Sequence, residues 1–144
     1  MVRKVFAYNP QGEHVGYINL DTDDIGQPVG EVYDDQAFKL GAIRYKPLDY
    51  QPAESEVFEP DGEQVGLVRL ESQEDEDMHA EVYWIEQLDA EPQPMAHAEL
   101  TGQGQVEVYR AGEGGEHLGT LKAEDVDAEE LVLVGGGGAL LLLL

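Results

Sequence analysis

A tandem period near 25 residues constrains this chain more than any other feature. The phrase Gly-Glu-His-Val-Gly at 12–16 returns as Gly-Glu-Gln-Val-Gly at 62–66 and as Gly-Glu-His-Leu-Gly at 115–119. An aliphatic residue also recurs, at Val5, Val32, Val57, Val82, Val108 and Leu131, with spacings of 27, 25, 25, 26 and 23. A charged residue precedes each one: Lys4, Glu31, Glu56, Glu81, Glu107 and Glu130. An aromatic follows in the first five, as Phe6, Tyr33, Phe58, Tyr83 and Tyr109. Self-similarity at a fixed spacing means that one small unit is built repeatedly and buries its apolar face against its neighbours.

Each unit reads as a β-hairpin. The aliphatic–aromatic pair suits a pleated surface. Turn chemistry follows it, as in Asn9-Pro10-Gln11-Gly12 and Glu59-Pro60-Asp61-Gly62. Pro presets the second turn position and Gly accepts positive φ. In the returning strands, alternation puts Gly16, Ile18 and Leu20 on one face, and likewise Gly41, Ile43 and Tyr45, Gly66, Val68 and Leu70, and Gly119 and Leu121. The other face ends polar, at Asn19, Arg44, Arg69 and Lys122. The glycine row therefore faces the interior. Glycine weakens a strand unless something must come close, so the repeated phrase marks a corner where equivalent hairpins meet around an axis.

The reading is a single all-β domain over residues 1–144, with six antiparallel hairpin units in approximate rotational symmetry. Units one, three and five carry the phrase while two, four and six diverge, which suggests pseudo-threefold symmetry and a closed, barrel- or flower-like form. Little helix is expected, with short turns near 123–130 as the best candidates. The C-terminal run LVLVGGGGALLLLL reads as two buried strands joined by a Gly-rich turn, too short in its apolar pieces to cross a bilayer. The Pro-containing segment at 51–54 and the acidic run at 71–77 read as solvated loops.

The pattern Val57-Phe58 through Gly66-Leu67-Val68 resembles the β-flower group of small bacterial tandem-hairpin proteins, and this resemblance covers most of the chain. Val108-Tyr109 followed by residues 115–119 resembles, more locally, the PRC-barrel. The β-flower resemblance implies architecture only. The PRC-barrel resemblance implies a non-enzymatic adaptor. Six hairpins in three pairs would also suit a β-trefoil.

Charge narrows the function classes. Thirty-one acidic residues face eight basic ones, a formal net charge of −23. Nucleic acid and anionic membrane are unsuitable partners, because both require a cationic face. A basic protein is electrostatically acceptable. There are no cysteines, which removes disulfides, thiolate metal sites and thiol nucleophiles and suits a cytoplasmic location. No GxSxG, Walker or HExxH pattern is present, and the only serines are Ser55 and Ser72, beside acidic residues. The chain reads as a non-enzyme needing no cofactor: a module that binds a protein partner or self-associates as a homo-oligomer. The alternative is a small-ligand or carbohydrate binder that uses the fourth unit. The candidate pocket for that alternative is Tyr83, Trp84, Met95 and His97. Glu31, Glu56, Glu81, Glu107 and Glu130 form a candidate acidic ring. His14 and His117 occupy one repeat position, and His79 and His97 lie near Glu81, Glu99 and Asp77, where a cation is conceivable.

Overall fold

The computed structural model describes residues 3–22, 28–46, 54–72, 78–85, 91–102, 104–112, 114–124 and 126–143. Ten strands form one antiparallel up-and-down barrel: β1 (Arg3–Tyr8), β2 (His14–Thr22), β3 (Pro28–Asp34), β4 (Lys39–Lys46), β5 (Glu54–Phe58), β6 (Gln64–Ser72), β7 (His79–Trp84), β8 (Gln93–Gly102), β9 (Gln105–Arg110) and β10 (His117–Lys122). Each strand pairs with its sequence neighbours, and β10 closes the sheet on β1 through Phe6↔Lys122, Ala7↔Leu121 and Tyr8↔Thr120. Of the loop segments anticipated above, residues 51–53 and 73–77 lie outside the described residues, as does Asp77.

Five hairpins, not six, make the wall. The expected sixth unit, including Glu130, Leu131 and the four glycines, belongs instead to a helix, α1 (Ala128–Leu142). The pairing inferred as pseudo-threefold is a fivefold succession of hairpins. Register also corrects the alignment of the first unit. Val32 pairs with Gly41, Val57 with Gly66 and Val108 with Gly119, and in hairpin one the residue paired with the glycine is Ala7, opposite Gly16. The equivalent aromatic is then Tyr8, not Phe6, and the spacings become 25, 25, 25 and 26, from Ala7, Val32, Val57, Val82 and Val108. A register shift follows this pair in the first four hairpins and recurs beside Gly119 in the fifth.

The turns follow their residues. The Asn9 N–H donates to the Glu13 carbonyl and the Gly12 N–H to the Asn9 carbonyl, while Asn9 Oδ1 accepts from the N–H groups of Gln11 and Glu13. Asp34 repeats this arrangement with Gln36, Ala37 and Phe38. The left-handed position is filled by Gly12 (φ 84°), Gly62 (φ 93°) and, in hairpin two, Ala37 (φ 68°). Residues 37–41 are thus a fourth copy of the repeated phrase, with Ala in the place of Gly and Phe38 in the place of Glu.

Helix α1 runs inside the barrel, with residues 130–140 buried. Against it lie Val5, Ile18, Val32, Ile43, Val57, Val68, Val82, Val106, Val108 and Leu121, all fully buried. Space is tight at mid-height. A Cβ on Gly136 would stand 3.0 Å from Val68 Cγ1, one on Gly137 3.0 Å from Ile43 Cδ1, and one on Gly138 only 2.3 Å from Ile18 Cδ1. At the far end four consecutive leucines spread to four hairpins, Leu140 against Gly66, Leu141 against Gly41, Leu142 against Gly16 and Leu143 against Gly119. A Cβ on any of these glycines would come within 2.8 Å of the leucine and within 2.7 Å of the carbonyl oxygen of the next hairpin's aromatic, namely Tyr83, Phe58, Tyr33 and Tyr8. The close approach inferred from sequence is therefore real, and hairpin four, with Ala96 in this place, departs from it.

The N-terminal end of α1 is fastened by polar contacts. Arg3 of β1 pairs with Glu130 at 2.6 Å. The Tyr45 hydroxyl donates to Glu129 at 2.6 Å, and burial together with this bond pushes the phenol well above its usual range. Ser55, fully buried, donates to the Leu133 carbonyl at 2.9 Å, so it serves as a wall-to-helix link. Glu129 and Glu130 sit in the first turn, where the helix dipole favours anions. Among the described residues, no helix is long and apolar enough to cross a membrane.

Two outcomes follow. Gly135→Ala meets only Leu121 atoms at 3.8 Å, an ordinary contact, and should stabilise by about 1 kcal/mol through helix propensity. Gly138→Ala should instead destabilise by about 1–3 kcal/mol by overpacking against the buried Ile18. Equilibrium denaturant unfolding of the pair checks both signs. Separately, Ala37→Gly should stabilise by about 1 kcal/mol by relieving the left-handed alanine, read as a rise in Tm.

Candidate functional site

With the lumen occupied, chemistry must come from the outward face, which has a repeating logic of its own. The residue three after the corner glycines Gly41, Gly66 and Gly119 leans over the aromatic of the next hairpin. Arg44 lies 5.6 Å from the centre of the Phe58 ring, Arg69 6.0 Å from Tyr83 and Lys122 5.4 Å from Tyr8. The residue directly across from that aromatic is then Ala42, Leu67 or Thr120. At the other two seams that position holds Asn19 and Glu99, and an opposing ring covers the aromatic; at the first of them Lys4 in turn lies 5.0 Å from the centre of the Tyr17 ring. Tyr17 stacks on Tyr33 at 5.3 Å and His97 on Tyr109 at 5.4 Å. The cation–ring and ring–ring seams are two ways to cover one side of an exposed aromatic.

The candidate ring of glutamates falls into two places. Glu31, Glu56, Glu81 and Glu107 share one outward level, across from Asn19, Arg44, Arg69 and both Glu99 and Thr120 respectively. Glu130 is not with them; it is inside the barrel, paired with Arg3. In hairpin one the same level is held by Phe6. Glu31 accepts from the Tyr33 hydroxyl at 2.6 Å, which raises that phenol's pKa, the hydrogen bond outweighing burial as the cause.

Glu107 is held by three side-chain partners. It accepts from Thr120 Oγ1 at 2.9 Å, from Gln105 Nε2 at 2.9 Å and from His117 Nε2. Burial works against its charge, but these three donors prevail and hold the carboxyl below the ordinary glutamate value of 4.5. His117 lies 5.3 Å from the Tyr109 ring, so Tyr109 is flanked by His97 and His117. Glu99, directly across from Glu107, has His97 Nε2 at 3.6 Å. Each carboxylate of this like-charged pair thus has its own imidazole.

Among the described residues, the four proposed pocket residues have different surroundings. Tyr83 lines a shallow groove of about 350 Å³ with Leu67, Arg69, Glu91 and Pro92. Trp84 is partly buried and packs against the core. Met95 is half-buried on β8, and His97 faces Tyr109. A second shallow groove of about 260 Å³ lies beside Tyr8 and includes Gln105, Thr120 and Lys122, next to the Glu107 cluster. Among the described residues one group of carboxylates could hold a cation, the exposed Glu59, Asp61 and Glu63 of the β5–β6 turn. Its turn geometry accounts for it, since Asp61 Oδ1 accepts from the Glu63 N–H. His14 packs beside Phe6 and Tyr8 rather than beside His117.

What sequence reading missed is the cation–ring ladder. The signal was available, because Arg44, Arg69 and Lys122 stand three residues after their glycines. Compared with protein-family models, with curated proteins and with solved structures, the chain gives no match in any of the three.

Because folding lowers the Glu107 pKa, its contribution to stability is full above the unfolded value and is lost as pH falls through the folded one. Glu107→Gln should therefore lower Tm near neutrality, with the gap to the parent protein closing as pH drops below about 4.5. Thermal unfolding of both proteins from neutral to acid pH measures it.

Proposed function

We propose that this protein is a non-catalytic interaction module whose barrel exterior docks a cationic protein partner. The observation that carries this reading is how the charge is used. Every Lys or Arg whose side chain is described already has an internal partner: Arg3 with Glu130, Lys4 over Tyr17, Lys39 with Glu31, Arg44 over Phe58, Arg69 with Glu54, Arg110 with Glu116 and Lys122 over Tyr8. With these cations engaged, the acidic surplus of a chain with net charge −23 gives the exterior a strongly negative field. Complementary charge of this size speeds encounter and excludes anionic competitors.

Two further observations support the reading. Helix α1 fills the space where a barrel would hold a small ligand. The charged residues Lys4, Glu31, Arg44, Glu56, Arg69 and Glu81 stand at mid-strand on the outward face, where a lipid-facing barrel carries an apolar band. The apolar run from Leu131 to Leu140 is buried in the barrel's own interior. The tandem hairpins around an axis remain in keeping with a β-flower-like protein, and that kinship is part of the proposal.

The test uses a ten-residue peptide of alternating Arg and Gly, with a neutral Gln/Gly peptide as control, titrated calorimetrically. The Arg peptide should bind, and should weaken several-fold as ionic strength rises from about 0.01 to 0.15 M, where the screening length falls from roughly 30 to 8 Å. Equal binding of the neutral peptide, or no binding of the Arg peptide at low salt, would count against the reading.

A further inference from the structure

The five hairpins are internal references for one another, and two residues break the pattern in the same direction. At the level of Glu31, Glu56, Glu81 and Glu107, hairpin one carries Phe6. At the position of Glu13, Glu63 and Glu116, three before the corner glycine, hairpin two carries Phe38. These are the exposed large hydrophobics among the described residues, Phe6 at 38% and Phe38 at 66%. Each stands where sister hairpins place a carboxylate, so neither exposure is required by the fold.

Phe6 begins a cross-strand row of aromatics, and Phe38 stands in the turn beyond the last member of that row. Phe6 pairs with Tyr17 across β1–β2, Tyr17 pairs and stacks with Tyr33 across β2–β3, and Phe38 lies in the turn that follows Tyr33. In this seam Asn19 stands where three other seams carry a cation, and Lys4 of β1 lies 5.0 Å from the centre of the Tyr17 ring, on the β1 side. Glu13 is exposed in the β1–β2 turn, and Glu31 accepts from the Tyr33 hydroxyl and lies 3.9 Å from Lys39, the residue across from Tyr33. Aromatic rings edged by carboxylates are suited to guanidinium groups, which stack on the ring and pair with the acid. The barrel does this itself at Arg44–Phe58 and Arg69–Tyr83.

We infer that the β1–β3 aromatic face, Phe6, Tyr17, Tyr33 and Phe38 with Glu13 and Glu31, is the docking surface for an arginine-bearing segment of the cationic partner. The inference rests on the reading proposed above and gives it a location. A second copy of this chain is a poor occupant, because it would bring another 23 negative charges to a surface already edged by acid.

The experiment titrates the Arg/Gly peptide against the full chain and against Phe6→Glu, Phe38→Glu and the double variant. These substitutions restore what the sister hairpins carry at exposed positions, and an unchanged Tm checks the fold. They also add negative charge, so a purely electrostatic attraction predicts tighter binding. Docking on the aromatic face predicts the opposite, about tenfold weaker binding for the double variant. The Tyr17 and Tyr33 ring resonances should also shift on titration in the parent protein. If the peptide binds the parent and the double variant binds it equally or more tightly, this face is wrong while the cationic-partner reading stands. If the peptide fails to bind the parent at low salt, that reading fails first. A doubled mass by light scattering for the parent, lost in the double variant, would assign the face to self-association and overturn the inference.

Discussion

A ten-stranded closed sheet encloses more axial space than its own inward side chains fill, and an empty apolar lumen forfeits contacts on every side. Here the space is filled by a helix from the same chain, and the fit between that helix and the wall is the constraint on which the other features depend. At mid-height the wall residues Ile18, Ile43, Val57, Val68 and Val82 reach so far inward that the helix has no room for side chains at 136–138. At the far end the relation is inverted. The wall is glycine, and the helix supplies Leu140 to Leu143. Large meets small at both levels, as dense packing requires.

The arrangement makes the helix dependent on the barrel. Four consecutive glycines cost about 1 kcal/mol each relative to alanine in a helix, and isolated helices of this length are marginal in water. Against this stands the burial of leucines and valines, worth about 1.5–3 kcal/mol for each side chain fully removed from water. The contacts at Arg3–Glu130, Tyr45–Glu129 and Ser55–Leu133 then set the rotation and depth of the helix, which apolar packing alone defines poorly. The same closure explains the exterior. Inward positions are committed to the core and vary mostly among small and aliphatic residues, whereas outward residues and turns vary in chemical character, and there Phe6, Phe38 and the Glu107 cluster depart from the repeat.

Much of the wall was legible in the sequence, because each hairpin is written locally. Turn residues, alternation and the corner glycine all occur within one 25-residue unit, and the inward rows from Gly16 to Leu121 were read correctly. The alignment of the first hairpin was two residues off, since Lys4-Val5-Phe6 mimics the motif more closely than Phe6-Ala7-Tyr8 does. Only cross-strand register separates the two. The surface was less legible, because a cation–ring contact joins residues of successive hairpins, and a pocket list drawn from one hairpin could not find it. Tyr83, Trp84, Met95 and His97 are neighbours in one hairpin, yet alternation and the register shift send them to different surroundings.

The sequence by itself determined the unit: a hairpin of fixed length, its inward face, its turn and its need for a close neighbour. It also determined the acidic excess, which composition alone records. Tertiary structure decided how many units close the ring and what stands at the centre. The run from Leu131 to Leu143 has no helical periodicity because, inside a barrel, every side of a helix faces apolar wall, so the amphipathic signal that marks a surface helix has no physical cause to exist.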